Sequence, residues 1–532
     1  MSAPTLPETE AKSHRQILEA LSGLLLVLFL AMISSTVVSV SLPQIIGSLD
    51  GTQSQYTWVV TAALLTTTAS TPIWGKLADL FSKKLLLEIA IGIFLVASLA
   101  CGFAQNTAML IAFRAVQGLG MGALQILVQV IIAAMISPKE RGRYNGYLGA
   151  VMAVATVGGP LLGGLITDTS WLGWRWCFFL PIPFTAIALI VLHRTLDIVS
   201  VRRPGTSVDY PGALLIAAGV SVLLVWVTFV RNSFDWISWQ TFAMVGASVV
   251  LLGIAVWVES VVREPVVPLH VIRRRTPALA ILASLAVGMA MFGGAVFLGQ
   301  YFQIGRGYSP TEAGLLTIPM MFGVLVSSTV SGRMVSRSGR VKPYILVGSI
   351  VLTLGFLALS TIDHETSLVL VGAGMLVVGA GVGMSMQNLV LAVQNTVPLR
   401  ELGAASGAIT FFRSLGGTIG VSVLGAVLAN QVTENIATGL AKAGIPVPPS
   451  QSSGGGSLNM GALPEPIRTI VRAAYGDATG HIFLISACIA VVGILAVLFL
   501  PQVRLRDSVD LAEPTTGPAA AGADAPAAAE SR

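Results

Sequence analysis

The chain has 532 residues, of which 54% are hydrophobic and only 11% charged, with a net charge of +6. A soluble domain carries about 25% charged residues, so the composition excludes a globular enzyme, with or without one membrane anchor. Three cysteines, Cys101, Cys177 and Cys488, lie in apolar segments without paired spacing, which excludes a disulfide framework and a cysteine metal site.

Charge-free, mostly apolar windows occur at 20–49, 51–75, 89–113, 115–138, 144–167, 176–193, 210–230 and 236–258. They resume at 276–305, 313–332, 343–362, 366–399, 414–433 and 482–503. A bilayer core of about 30 Å takes roughly 20 apolar residues per helix, so fourteen transmembrane helices are expected. The window 443–464 fails, because its GIPVPPSQSSGGGS consists of helix breakers and polar residues. The first helix has polar flanks and no small-residue cleavage site, so no cleavable signal peptide is expected.

Basic residues orient such a chain. With both termini cytoplasmic, 23 of the 31 Lys and Arg fall inside and 6 outside, while Arg114 and Arg413 lie within helices. The expectation is a multi-pass protein of the inner (plasma) membrane, whose positive charge reflects its topology in the lipid bilayer and not nucleic-acid binding. Its expected parts are a cytoplasmic N-tail (1–18), a six-helix bundle (19–194), an inserted helix pair with flanking loops (195–276), a second six-helix bundle (277–505) and a low-complexity, disordered C-tail (506–532).

In the first window, MISSTVVSVSLPQI places five hydroxyls in eight residues, Ser34, Ser35, Thr36, Ser39 and Ser41. Hydroxyls gain nothing from lipid, so Ser34, Ser35 and Ser39 are expected to face protein or a water-filled cavity. Between the second and third helices runs GKLADLFSKK. Here Gly75 permits close backbone approach, and Asp79 is expected to cap the third helix or pair with a neighbouring basic residue; Lys83 and Lys84 follow. In the fourth helix, RAVQG sets Arg114 about two turns inside, at a cost of roughly 2.5–3.5 kcal/mol unless it finds a partner or reaches an interface. Gln117 shares its face. GGPLLGG in the fifth helix, with Gly159, Pro160, Gly163 and Gly164, fits a hinge and a close-packed crossing equally.

The chain then repeats itself. GRMVSRSGRVK, with Gly332, Arg333, Gly339 and Arg340, begins 257 residues after GKLADLFSKK. The same offset carries Gly159 and Gly163 onto Gly416 and Gly420. Two unrelated patterns sharing one offset argue for duplication, and two related halves around a central site is an architecture of transporters. Later, Gln387 and Gln394 stand seven apart on one helix face and suit a hydrogen-bonding cavity wall; Arg413 in FFRSLGG repeats the argument made for Arg114. No Walker lysine motif occurs, the glycines at 379–383 follow no strand, and the five histidines are dispersed, so neither a cofactor nor a metal is expected.

Taken together these stretches resemble the major facilitator superfamily, in its fourteen-helix drug:proton antiporter branch. GKLADLFSKK matches the family's helix 2–3 pattern with Ser82 where glycine is usual; RAVQG matches its helix 4 pattern and GGPLLGG its helix 5 antiporter pattern. WRWCFFLPIP, GYSPTEAGLLTIP and FFRSLGG are also similar, though Pro181 replaces a common asparagine. The resemblance implies an all-α integral membrane protein with the major facilitator fold, two six-helix bundles plus two inserted helices. It further implies alternating access and multidrug export of amphipathic small molecules, driven by a proton gradient through antiport.

The opening segment departs from the family, with serine at 34 and 39 where aspartate and asparagine are usual. No charge-free core contains Asp or Glu, so the proton-coupling candidates are Asp79, Glu88 and Arg114. A cavity with cations and hydroxyls but no carboxylate should favour neutral or anionic cargo over cations. The expected cavity set is Ser34, Ser35, Ser39, Arg114, Gln117, Gln387, Gln394 and Arg413. A passive facilitator, or an exporter of a metabolite, siderophore or lipid, shares the fold. A polytopic enzyme would need clustered acids or histidine near an interface, whereas Glu434, Glu465, Asp477 and His481 are scattered. They fall in or directly after the extracytoplasmic loop 432–480, a candidate partner site, whose LPEPIRTIVRAAYGDA is expected to form a short interfacial helix.

Overall fold

The computed structural model describes residues 14–50, 53–169, 172–196, 209–230, 234–262, 264–443, 465–502 and 504–506. Most of the expected tails (1–13 and 507–532), much of the loop at 195–208 and the breaker-rich 444–464 lie outside the described residues, as do the side chains of Ser39 and Pro160; residues 14–18, expected in the N-tail, are the first turn of the first helix.

The first group of helices is α1 (His14–Ser48), α2 (Gln53–Leu80), α3 (Lys83–Gly102), α4 (Thr107–Met135), α5 (Pro138–Asp168), α6 (Trp176–Phe179) and α7 (Pro181–Thr195). Then come α8 (Tyr210–Phe229), α9 (Trp239–Val261) and the single turn α10 (Leu269–Ile272). The last group is α11 (Arg275–Gln300), which ends in a π turn at Tyr301–Gly305, α12 (Pro310–Leu316), α13 (Ile318–Ser338), α14 (Lys342–Leu359), α15 (Leu368–Gln394), α16 (Leu402–Lys442) and α17 (Glu465–Leu498). No strand occurs among the described residues.

Local chemistry sets the helix ends. Ser82, Asn106, Ser137, Asp209 and Ser238 each accept a hydrogen bond from a free backbone N–H at the start of the next helix. Ser309 and Glu312 cap α12 reciprocally. Gly339, at φ 65°, ends α13 in the left-handed region where an L side chain is strained.

Among the described residues, twelve helical spans are long and apolar enough to cross a membrane. α2 and α5, of 28 and 31 residues, are as long. The charge-free windows expected at 51–75 and 144–167 run along these two helices. The expected interfacial helix is corrected. Nothing breaks the chain after Pro466, so those residues are the first turns of a continuous 34-residue α17. They pack against the far end of the 41-residue α16, where Asn435 Nδ2 donates to the Ala474 carbonyl at 3.4 Å.

The two groups build separate apolar cores. One surrounds Leu87, Phe94, Leu124 and Ile131, with a satellite around Leu42, Ile45 and Phe178. The other surrounds Leu352, Phe356, Val378 and Phe483. α8 and α9 pack on each other, with Ser248 Oγ donating to the Gly219 carbonyl at 2.9 Å. Their shared apolar patch reaches Ala69 of α2 and Phe411 and Leu415 of α16, so the inserted pair sits beside the seam between the groups.

Candidate functional site

The duplicated glycines meet across that seam. A Cβ on Gly75 of α2 would lie 2.5 Å from the Gly403 carbonyl oxygen of α16. A Cβ on Gly142 of α5 would lie 2.7 Å from the carbonyl oxygen of Gly332 on α13. Both obstacles are backbone, so any larger side chain forces the helices apart. The two crossings close one end of the interface. That face also carries Lys76, Lys83, Lys84, Arg141, Arg340 and Arg506, and is called the basic face below.

Asp79 fastens the first crossing. Its Oδ1 accepts from Gly403 N at 2.7 Å and its Oδ2 from Ala404 N at 2.8 Å. These N–H groups open α16, where the helix dipole also favours an anion. Asp79 therefore does not cap α3; Ser82 holds that position, accepting from Leu85 N at 3.5 Å. Counting 257 residues on from Asp79 leads to Ser336, which lies beside Gly142 with an unpartnered Oγ, so the carboxylate latch is one-sided.

The other residues of the pattern have separate partners. Lys76 Nζ meets Glu264 Oε2 at 2.6 Å, and Lys84 Nζ donates to the His193 carbonyl at 2.6 Å. Glu88 Oε1 lies 3.0 Å from His193 Nδ1, and Lys83 opens α3. Arg333 and Arg340 are exposed, and the Gly339 carbonyl accepts from Leu505 N at 2.9 Å.

Arg141 is a residue that sequence reasoning misses, because it reads as one of three bases in an inside loop. It is 2% exposed. Its Nη1 donates to Gln394 Oε1 of α15 at 3.0 Å, and its remaining donors serve the carbonyls of Ala133 and Ile136. Burial and the nearby Arg506 guanidinium push its pKa down to about 9. The signal that marks it is position: it directly precedes the crossing glycine Gly142. Gln387 and Gln394, expected on one wall, do share one, lining a void of about 10 Å³ with Gln129 and Arg141. That is roughly the room one water needs.

The remaining cavity candidates are placed differently. Ser34 and Gln117 have no exposed surface and Arg114 has 1%. Arg114 donates to Gln117 Oε1 at 2.6 Å and to the Val59 carbonyl at 3.4 Å, while Gln117 Nε2 donates to Ser98 Oγ at 2.8 Å and Ser34 Oγ at 3.4 Å. These partners belong to α1, α2, α3 and α4, so the chain of bonds runs through the packing of the first group. Ser35 is half-buried. Thr36 turns to α5, donating to the Ala155 carbonyl at 3.2 Å, and Ser41 Oγ lies 3.2 Å from Cys177 Sγ. The polar face of α1 is thus divided among several neighbours.

The fifth-helix glycines form close crossings. Gly163 leaves only 3.0 Å between a Cβ and the Val37 carbonyl oxygen of α1, and Gly159 faces Thr36. In the second half, Gly416 and Gly420 stack on Leu285 and Met289 of α11. Arg413, 5% exposed, leaves its Nη1 without a partner.

The Major Facilitator Superfamily model matches residues 24–421. The chain belongs to the Major Facilitator Superfamily. As a facilitator-family protein it is a multi-pass membrane transporter rather than an enzyme. It is 34% identical to the multidrug transporter protein MdtP of Bacillus subtilis (strain 168) over 419 residues, 79% of this chain and 76% of that one. An uncharacterized MFS-type transporter of Mycobacterium tuberculosis is 34% identical over 522 residues, 96% of this chain and 75% of that one. Among solved structures, the facilitator fold is shared with the proton:xylose symporter XylE, at a TM-score of 0.60 and 15% identity, covering 93% of this chain and 98% of that chain.

Proposed function

We propose that this facilitator-family chain is a proton-coupled efflux transporter of amphipathic small molecules, working by alternating access. The observation that carries the reading is the seam itself, where two glycine crossings and the Asp79 latch shut the basic face. A contact built from bare backbone and two N–H donors can part and re-form without stranding a buried charge, because Asp79 and the start of α16 are both solvated when they separate. Relatives named for multidrug transport and efflux support the direction of transport. The basic face is proposed to be cytoplasmic by the excess of Lys and Arg it carries, in the inner membrane with both termini inside.

Cargo is proposed to pass between the two groups, bounded by Ser35, Gln387, Gln394 and Arg413, with the Ser34–Gln117–Arg114 chain of bonds supporting α1 behind it. With no carboxylate in the apolar cores and a partly unpartnered guanidinium at Arg413, neutral or anionic amphiphiles should be preferred to cations. The test is accumulation of a chemically diverse panel in an efflux-deficient host expressing the parent, Ser35→Asp and Arg413→Ala. Ser35→Asp should gain cation export. Strong Arg413-dependent export of a bis-quaternary dication by the parent would refute the preference, and flux indifferent to alkalinising the far side of sealed vesicles would refute the coupling in favour of a passive facilitator.

A further inference from the structure

Asp209 and Glu259 are the two acidic side chains buried among the described residues, each 4% exposed. They come from different helices of the inserted pair. Asp209 precedes α8, and its Oδ1 accepts from Gly212 N at 2.8 Å. Glu259 ends α9, and its carboxylate accepts from Val266 N at 3.2 Å and Val267 N at 3.1 Å. Asp209 Oδ2 has no donor among the described residues. A Cβ on Gly212 would touch both that oxygen and Glu259 Oε1, which places the two oxygens within about 5 Å of each other.

Around this pair, α2 contributes Lys76, whose Nζ is engaged by Glu264 Oε2 at 2.6 Å. Glu264 is the acid on the connection after α9, and α16 presents Phe411 and Leu415 toward α8. Two carboxylates this close and this dry do not both ionise at moderate cost. A proton held between them would give the orphaned Asp209 Oδ2 a partner in the neighbouring Glu259 oxygen.

We propose that Asp209 and Glu259 hold a single shared proton, forming a proton-binding site in the inserted helix pair outside the central route, and that Lys76 relays its charge state to the α2–α16 crossing. When the proton leaves, the extra negative charge draws the Lys76 ammonium away from Glu264. Lys76 adjoins the crossing glycine Gly75 and stands three residues, less than one turn, from Asp79. Movement of the lysine is therefore felt where α2 is latched to α16. The relay rests on the efflux reading above; the shared proton does not.

The experiment is infrared difference spectroscopy of the full-length protein in lipid, titrated through neutral pH, beside proton-dependent export by the same variants. The parent should show a protonated-carboxyl C=O band that is lost in Glu259→Gln and lost or shifted in Asp209→Asn, because each substitution removes one of the two oxygens that hold the proton. Asparagine caps a helix as well as aspartate does, so Asp209→Asn keeps α8 intact. It should also lose the pH dependence of export. A parent without the band, or a band that survives both substitutions, overturns the site whatever the flux does. A band that behaves as expected with parent export that ignores pH leaves the shared proton standing and overturns the relay together with the coupling reading.

Discussion

The guanidinium of Arg141, in the first turn of α5, donates to the side-chain amide oxygen of Gln394, near the end of α15, at 3.0 Å across the seam between the two groups of helices. Gln394 in turn donates to Ser406 Oγ of α16 at 2.9 Å. One amide thus links α5, α15 and α16 next to the closed face. Replacing Gln394 by alanine removes one of the hydrogen bonds of a buried charge, and hydrogen bonds to charged groups contribute about 1.5–3 kcal/mol. Arg141→Met, Gln394→Ala and the double variant should show a coupling of about 1–2 kcal/mol in a stability cycle. Additive losses would mean that the pair does not hold the seam.

Gly332→Val should do more damage to transport than to folding. The valine meets the Gly142 backbone, which only separation of α13 from α5 relieves. The variant should insert and remain monodisperse, while its export rate falls about tenfold, the factor for 1.4 kcal/mol. Export at the parental rate would show that this crossing need not close during the cycle.

For Asp79, alanine removes both acceptors at the start of α16, whereas asparagine keeps one. Losing such a cap costs about 1 kcal/mol, typically up to 2. A single cysteine at Gly407, otherwise sealed by Thr71 and Pro72 of α2, should react faster with a hydrophilic maleimide in the order Asp79→Ala, Asp79→Asn, parent. Equal rates in all three would remove the latch.

The segment 504–506 crosses the same face. The Arg506 carbonyl accepts from Lys139 N of α5 at 3.2 Å, while its N–H donates to Asn395 Oδ1 at 3.1 Å and its guanidinium reaches the carbonyls of Gln394 and Val397. Leu505 is buried against the core of the last group. Leu505→Asp should therefore raise hydrogen exchange at Gly339 to Lys342 and at 395–399 together, read by mass spectrometry. A rise confined to 504–506 would mean that the strap fastens nothing.

Much of this arrangement was legible residue by residue. Gly75 reads as a close-approach point, the constant offset pairs it with Gly332, and each of the two forms one of the crossings. Gln387 and Gln394 were placed on one face and line one void. Other assignments failed because sequence neighbours compete with distant ones. Asp79 reads as a cap for α3 or a partner for a neighbouring basic residue, yet Ser82 caps that helix and the carboxylate goes to donors 324 and 325 residues on. Arg141 was hidden by its basic neighbours, and the partner of Glu259 lies fifty residues before it.

By itself, then, the sequence determined the membrane class, the helices and the duplicated glycine pattern, since apolar length, capping residues and spacing act within a few residues of chain. Which helix each glycine touches, which N–H groups Asp79 satisfies and which acid Asp209 faces were decided only by tertiary packing. Those contacts join residues far apart in sequence, and only the assembled seam excludes the water that would otherwise satisfy them.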